Sequence, residues 1–219
     1  MKILLVIPAF NEEPTLPAVI AKAKPYLPDI LVIDDGSEDA TSLVSAMAGA
    51  MTHRLPVNVG KGEALKTAFA YAIEQSYDWV FTLDGDGQHD PRDIENFLPL
   101  LPDFDLVLGD RMAESSKVPL LRRVANLTSS LVISILSGQR IRDSQTGFRA
   151  YRTELLRQIS LQSSRYDLES EVIIKASRKG FRIGHARIQT IYAGEVSRFR
   201  NFIDSGRFIV VVFKSFLWW

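Results

Sequence analysis

Short, continuously apolar runs alternate with segments of helical period, and each run stops at a polar cluster. ILLVIPAF (3–10) ends at Asn11-Glu12-Glu13, ILVID (30–34) at Asp34-Asp35-Gly36-Ser37, and LPVNV (55–59) at Gly60-Lys61-Gly62. WVFTL (79–83) ends at Asp84-Gly85-Asp86, and DLVLG (105–109) at Asp110-Arg111. Strands apolar on both faces, separated by helices, predict a mostly parallel sheet covered on both sides, an α/β fold. The helical stripes are Leu16, Val19, Ile20, Ala23; then Ala40, Leu43, Val44, Met47; then Ala64, Leu65, Ala68, Phe69, Ala72; then Ile94, Phe97, Leu98, Leu101. Asn11 and Ser37 are expected to cap the first two helices.

After Arg111 the rhythm changes. An amphipathic stretch (120–136) leads to the polar turn RIRDSQTGFRAY, a helix over about 168–179 closed by Gly180, and a strand near 181–192. This half reads as α+β. At 219 residues the chain suits one large domain, divided here as 1–195, with halves 1–110 and 111–195, followed by a segment 196–219.

Lys plus Arg equals Asp plus Glu at 26 each, so nothing in the bulk charge attracts nucleic acid. The absence of Cys excludes disulfides and thiolate chemistry. His53, His89 and His185 share no metal-ligand spacing. The opening MKILLVIPAF lacks a small-residue cleavage site and reads as a buried strand rather than a secretion signal. No apolar segment reaches the roughly 20 residues that cross a bilayer.

Ligands of open α/β sheets bind outside the carboxyl ends of the strands, where all five polar clusters fall. Asp84 and Asp86 repel each other unless a cation compensates. Hard oxygen donors suit Mg²⁺ or Mn²⁺, which leave positions open for phosphate. A calcium loop starting at Asp84 would need Gly where His89 stands. An Asp ending the second strand can accept from a base N–H or a ribose hydroxyl. Gly60-Lys61-Gly62 reads either as a phosphate cradle or as a tight turn before a helix.

IPAFNEE, IDDGSEDAT, NVGKGEAL, LDGDGQHDP and SQTGFRAYR together resemble family 2 glycosyltransferases, closest to the dolichyl-phosphate mannose synthase and polyprenyl-phosphate glycosyltransferase branch. The resemblance implies a GT-A fold and inverting transfer of a hexose from a UDP- or GDP-sugar to a polyprenyl phosphate. It implies a nucleotide-sugar pocket of Pro8, Phe10, Asn11, Glu12, Asp34, Asp35, Lys61, Asp84, Gly85, Asp86 and Gln88. Asp84, Asp86 and Gln88 would hold Mg²⁺ or Mn²⁺. Arg111, Arg122, Arg123, Arg198 and Arg207 would gather the acceptor phosphate. Asp86, Arg111, Arg123, Asp143 and Glu169 are the expected catalytic set, with Asp143 and Glu169 either acting directly or orienting an Arg. Arg198 follows Ser197 where the branch carries Ser-Lys, and a TGED-type base motif is absent. A phosphate, largely ionised near neutrality, needs cations to place it rather than a base.

The tail, FIVVVFKSFLWW from Phe208 to Trp219, is too short to span a bilayer but suits its interface. Peripheral association with the inner membrane face follows as an expectation. Packing of the tail on the protein itself, on another copy or on a membrane protein is the alternative. A hydroxyl acceptor, nucleotidyl transfer and a non-catalytic nucleotide-binding subunit are the other functions weighed.

Overall fold

The computed structural model describes residues 1–111, 120–165, 167–189, 191 and 215. The strands are β1 (Ile3–Ala9), β2 (Ile30–Asp34), β3 (Met51–Arg54), β4 (Trp79–Thr82), β5 (Leu106–Asp110), β6 (Arg149–Arg152) and β7 (Ile183–Arg187). They form one sheet in the order β3-β2-β1-β4-β6-β5-β7. β6 runs antiparallel between β4 and β5, and every other pairing is parallel. The mostly parallel sheet that the alternation predicts is therefore present. Because β6 lies between β4 and β5, one sheet runs through both halves of the chain.

The helices are α1 (Leu16–Ala23), α2 (Thr41–Met47), α3 (Lys61–Glu74), α4 (Ile94–Phe97), α5 (Leu120–Ser137), α6 (Thr153–Gln158) and α7 (Asp167–Arg178). Strand residues alternate between two cores, as the two-residue period demands. Leu4, Val6, Leu31, Ile33, Val80 and Leu106 pack with α3 and α7. Leu5, Ile7, Val32, Phe81, Val107 and Phe148 pack with α1 and α4. In α3, Ala64, Leu65, Ala68, Phe69 and Ala72 are buried. Gly180 follows α7 with φ 83°, the left-handed conformation that closes a helix.

Several expectations need correction. The third strand is Met51–Arg54, paired with Leu31–Asp34, rather than 55–59. Leu55 N–H still bonds Asp34 O, but Pro56 has no N–H with which to continue the ladder. The stripe expected to bury α2 faces outward at Leu43 and Met47, while Thr41 and Ser45 are buried. Neither Asn11 nor Ser37 caps a helix. Asn11 sits at φ 55°, Thr15 precedes α1 and Ala40 precedes α2.

β6 has the sequence RAYR, which carries no apolar run. Arg149 is nevertheless fully buried. Its guanidinium donates to Thr146 O (2.7 Å), Glu169 O (2.8 Å) and Ser144 O (2.9 Å), tying the turn before β6 to the start of α7. Replacing it leaves buried carbonyls unpaired, each costing about 1–3 kcal/mol. Arg149→Met is therefore expected to lower unfolding free energy by about 3 kcal/mol or more, measured by urea denaturation.

Candidate active site

The loops at the carboxyl edge of the sheet are lashed to one another by side-chain-to-backbone bonds. After β1, Asn11 N–H donates to Ser37 Oγ (2.9 Å) and Glu12 N–H to Thr41 Oγ1 (2.9 Å). Asn11 Oδ1 accepts from Glu38 N–H (2.8 Å). Thr15 Oγ1 donates to Gly85 O (2.7 Å), which joins the β1 loop to the acidic turn after β4. At the end of β2, Asp34 is fully buried. It accepts from Ser37 N–H (2.8 Å) and from Ser42 Oγ. Asp35 accepts from the N–H groups of Val59 (2.9 Å) and Gly60 (2.8 Å). Those two amides are thus engaged by a carboxylate. Gly62 sits where a Cβ would come within 2.4 Å of the Ser164 backbone, so this loop is glycine-rich for close packing.

Lys61, the first residue of α3, reaches across the edge. Its Nζ lies 2.6 Å from Asp84 Oδ1 and 3.1 Å from Glu169 Oε1. Burial alone would lower the Lys61 pKa, but the two carboxylates outweigh it and hold it above the ordinary value. Burial likewise works to raise the Asp84 pKa, and Lys61 overrides it and keeps it low. Gly147 lies against Asp84, and a Cβ there would fall 2.1 Å from Oδ2. A larger residue at that position would displace the Asp84 carboxylate.

Asp143 is fully buried. It grips Arg111 with both oxygens, at 2.6 Å to Nε and 2.9 Å to Nη2, and also accepts from Asn126 Nδ2 (3.2 Å) and Gln145 N–H (3.1 Å). Desolvation works to raise its pKa, but Arg111 and these donors bring it below the usual range. Of the two roles open for Asp143, this geometry is that of an orienting partner for Arg111.

Asp86 is partly buried, and its Oδ1 accepts from Gln88 N–H (2.9 Å). Pro8, Phe10, Asn11, Glu12, Gly85 and Gln88 line the same edge and are partly or fully buried. Among the described residues no three of His, Asp or Glu gather into a protein-made metal cage. Two carboxylates two residues apart fit a hard cation that takes its remaining oxygens from water and a bound diphosphate.

Arg123 is exposed on α5. The Arg122 side chain, Arg198 and Arg207 lie outside the described residues, as does most of the 196–219 segment. Ser215 of that segment is buried, and its carbonyl accepts from Arg178 Nη1 on α7.

His89 escapes a reading based on ligand spacing. It lies inside the acidic motif, 5 % exposed, its ring 5.9 Å from that of Phe148. Its Nδ1 has no hydrogen-bond partner among the described residues. Desolvation lowers its pKa to about 4, despite the nearby Asp84. Asn126 and Gly147 also escape it; Gly147 lies within SQTGFRAYR, where the need for a small neighbour beside Asp84 has no signature in sequence alone.

A mostly parallel sheet with acidic and cationic groups at its carboxyl edge is the architecture of an α/β protein that binds its ligand at the strand ends. Residues 4–160 match the model of Glycosyl transferase family 2, and the chain belongs to that family. It is 32% identical to a UDP-N-acetylglucosamine–dolichyl-phosphate N-acetylglucosaminyltransferase of Methanococcus voltae, covering 98% of this chain and 93% of that one. It is 31% identical to an undecaprenyl-phosphate mannosyltransferase of Micrococcus luteus, covering 84% and 81%. The glucosyl-3-phosphoglycerate synthase of Mycobacterium tuberculosis superposes with a TM-score of 0.76 at 25% identity, covering 99% of this chain and 79% of that one. The fold is GT-A.

Two predictions follow from the packing of this edge. Gly147→Ala should push Asp84 from Lys61 and reduce any donor-dependent activity by about a hundredfold or more, the scale of a displaced electrostatic group, with thermal melting as the control for folding. His185, like His89, has its pKa lowered to about 4 by burial. Unfolded histidine titrates near 6.5. Below that pH the unfolded chain takes up protons that the folded chain refuses, so stability falls as pH drops from about 6.5 toward 4. His185→Gln should flatten this decline by up to about 1.4 kcal/mol per pH unit, measured by urea denaturation across the window.

Proposed function

We propose that this chain transfers one hexose, with inversion, from a UDP- or GDP-sugar to a polyprenyl phosphate at the inner face of a membrane. The observation that carries this reading is Arg111, held bidentate by buried Asp143 at the same sheet edge as Asp84. A planar guanidinium fixed in this way matches two phosphate oxygens. An acceptor phosphate is already ionised and requires placement rather than deprotonation. Arg123 would add a second cation. The curated relatives whose names specify polyprenyl or dolichyl phosphate support the acceptor class.

Asp84 and Asp86 would hold Mg²⁺ or Mn²⁺, with Gln88 beside them, and the bound ion would neutralise the departing nucleoside diphosphate. Crystal structures of the mycobacterial synthase of the same fold are complexes with UDP and Mn²⁺ or Mg²⁺. Lys61 keeps Asp84 in place and faces Glu169 across the sugar side of the edge. Asp35 and Glu12 shape the nucleoside end, and Asp34 supports them from beneath. Inversion follows when the phosphate oxygen attacks C1 opposite the leaving diphosphate.

The direct test incubates the full chain with labelled UDP- and GDP-sugars, Mn²⁺ and undecaprenyl or dolichyl phosphate. A lipid-extractable sugar released by mild acid, with nucleoside diphosphate as co-product, is expected. Pyrophosphate release would indicate nucleotidyl transfer instead, and an acid-stable product a hydroxyl acceptor. Asp86→Asn should lower turnover by about a hundredfold or more and abolish the Mn²⁺-dependent rise in melting temperature with nucleotide. Its metal-free melting temperature should hold or rise slightly, because one repelling charge is gone. Near-normal turnover would remove Asp86 from the metal site.

A further inference from the structure

α5 has two unlike faces. Ser129, Ser130, Ile133 and Ser137 are buried against the protein. Ser130 Oγ accepts from Ser144 N–H (3.0 Å), and Asn126 reaches Asp143, so the inner face helps to build the Arg111 site. Val124, Leu127, Leu131 and Ile135 recur at spacings of three, four and four, which places them in one stripe on the opposite side. They are 51, 46, 61 and 72 % exposed. Four large aliphatic side chains left in water along one helix constitute a patch that asks for a partner.

Charge identifies the partner. Residues 115–142 contain Lys117, Arg122, Arg123, Arg140 and Arg142 and no Asp or Glu. Arg123 and Arg140 are exposed, and Arg142 is shared with Asp110 at 3.4 Å. An aliphatic stripe on a helix that carries exposed Arg123 and is followed by exposed Arg140, with no Asp or Glu in 115–142, complements an anionic lipid surface, which supplies both an apolar interior and negative headgroups. The helix has 18 residues, and no described helix is long and apolar enough to cross a membrane. It suits the interface plane. Ser215, the one described residue of the apolar tail, is engaged instead by Arg178 of α7.

We infer that the outer stripe of α5, through Val124, Leu127, Leu131 and Ile135, docks the enzyme on an anionic bilayer and sets its acceptor edge at headgroup depth. This rests on the lipid-phosphate reading for its purpose, but its test does not require that lipid. The full chain is sedimented with vesicles of phosphatidylcholine containing phosphatidylglycerol, without polyprenyl phosphate, beside vesicles of phosphatidylcholine alone. Binding to the anionic vesicles is expected, weakening as salt screens the charges. The L127S/L131S double variant should bind at least about tenfold more weakly, given the apolar area removed. Its melting temperature and nucleotide-induced thermal shift should not change. V124S/I135S, at the two ends of the stripe, should reproduce the loss and serves if the first pair misfolds. Undiminished vesicle binding by either folded double variant would overturn the proposal, as would failure of the full chain to bind anionic vesicles. A dimer in size exclusion that the variants split, with vesicle binding unchanged, would assign the stripe to a second copy and also overturn it. If the vesicle results hold but no transfer to polyprenyl phosphate occurs, the acceptor reading fails and the docking surface stands.

Discussion

The site is organised around one cation between two carboxylates. Lys61 draws together the start of α3, the end of β4 and the start of α7 through Asp84 and Glu169. Such a buried triad is weak as a source of net stability, because desolvation offsets most of the attraction. It is strong as a constraint on position, since removing the lysine would leave two carboxylates facing each other in a poorly solvated site. Gly147 belongs to the same constraint, because any side chain there would occupy the place of the Asp84 carboxylate. The triad keeps a net negative charge, and Asp86 adds another two residues away. The edge therefore retains attraction for a second cation after Lys61 is counted, which is the electrostatic condition for a divalent ion arriving with a diphosphate.

Around this centre most polar side chains serve the loops before they serve a ligand. Asp34 and Asp35 are adjacent in sequence and divide the work. Asp34 is sealed beneath Ser37 and Ser42, whereas Asp35 gathers the amides of Val59 and Gly60. Thr15 bonds to Gly85 and Asn11 to Ser37, so the polar clusters after β1, β2 and β4 hold one another. A pocket with many internal bonds of this kind has its geometry set before substrate arrives, which reduces the ordering cost of binding.

Much of this was legible in the chain itself. The apolar runs located β1, β2, β4 and β5 because strands buried on both faces have few other sequences open to them. The polar ends of those strands located the site, because topology places all of them at one edge. What remained hidden depended on contacts distant in sequence. RAYR reads as a turn until Arg149 is seen to spend its guanidinium on three carbonyls. LPVNV looks like a strand, but Pro56 ends the ladder and the pairing register places Met51–Arg54 there instead. Leu43 and Met47 have helical spacing, yet Thr41 and Ser45 face inward because their hydroxyls meet Glu12 N–H and Thr52. His89 carries no ligand spacing, and only burial beside Phe148 and Asp84 distinguishes it.

The two faces of α5 join the chemistry to the place where it would occur. An α-helix is about 10 Å across with its side chains. Its inner face, through Asn126, supports the Asp143–Arg111 pair, and its outer face presents the aliphatic stripe. Arg111 would then stand about one helix diameter from the docking face, and a lipid phosphate would rise only about that far to reach it. Most of the hydrocarbon chain would stay in the bilayer, so the enzyme would be spared the cost of desorbing it, about 0.8 kcal/mol for each CH₂ brought into water. For a long polyprenyl chain that cost would exceed anything one phosphate contact supplies. An enzyme of this acceptor class must therefore come to the membrane, and a single helix shared between site and surface would bring it there.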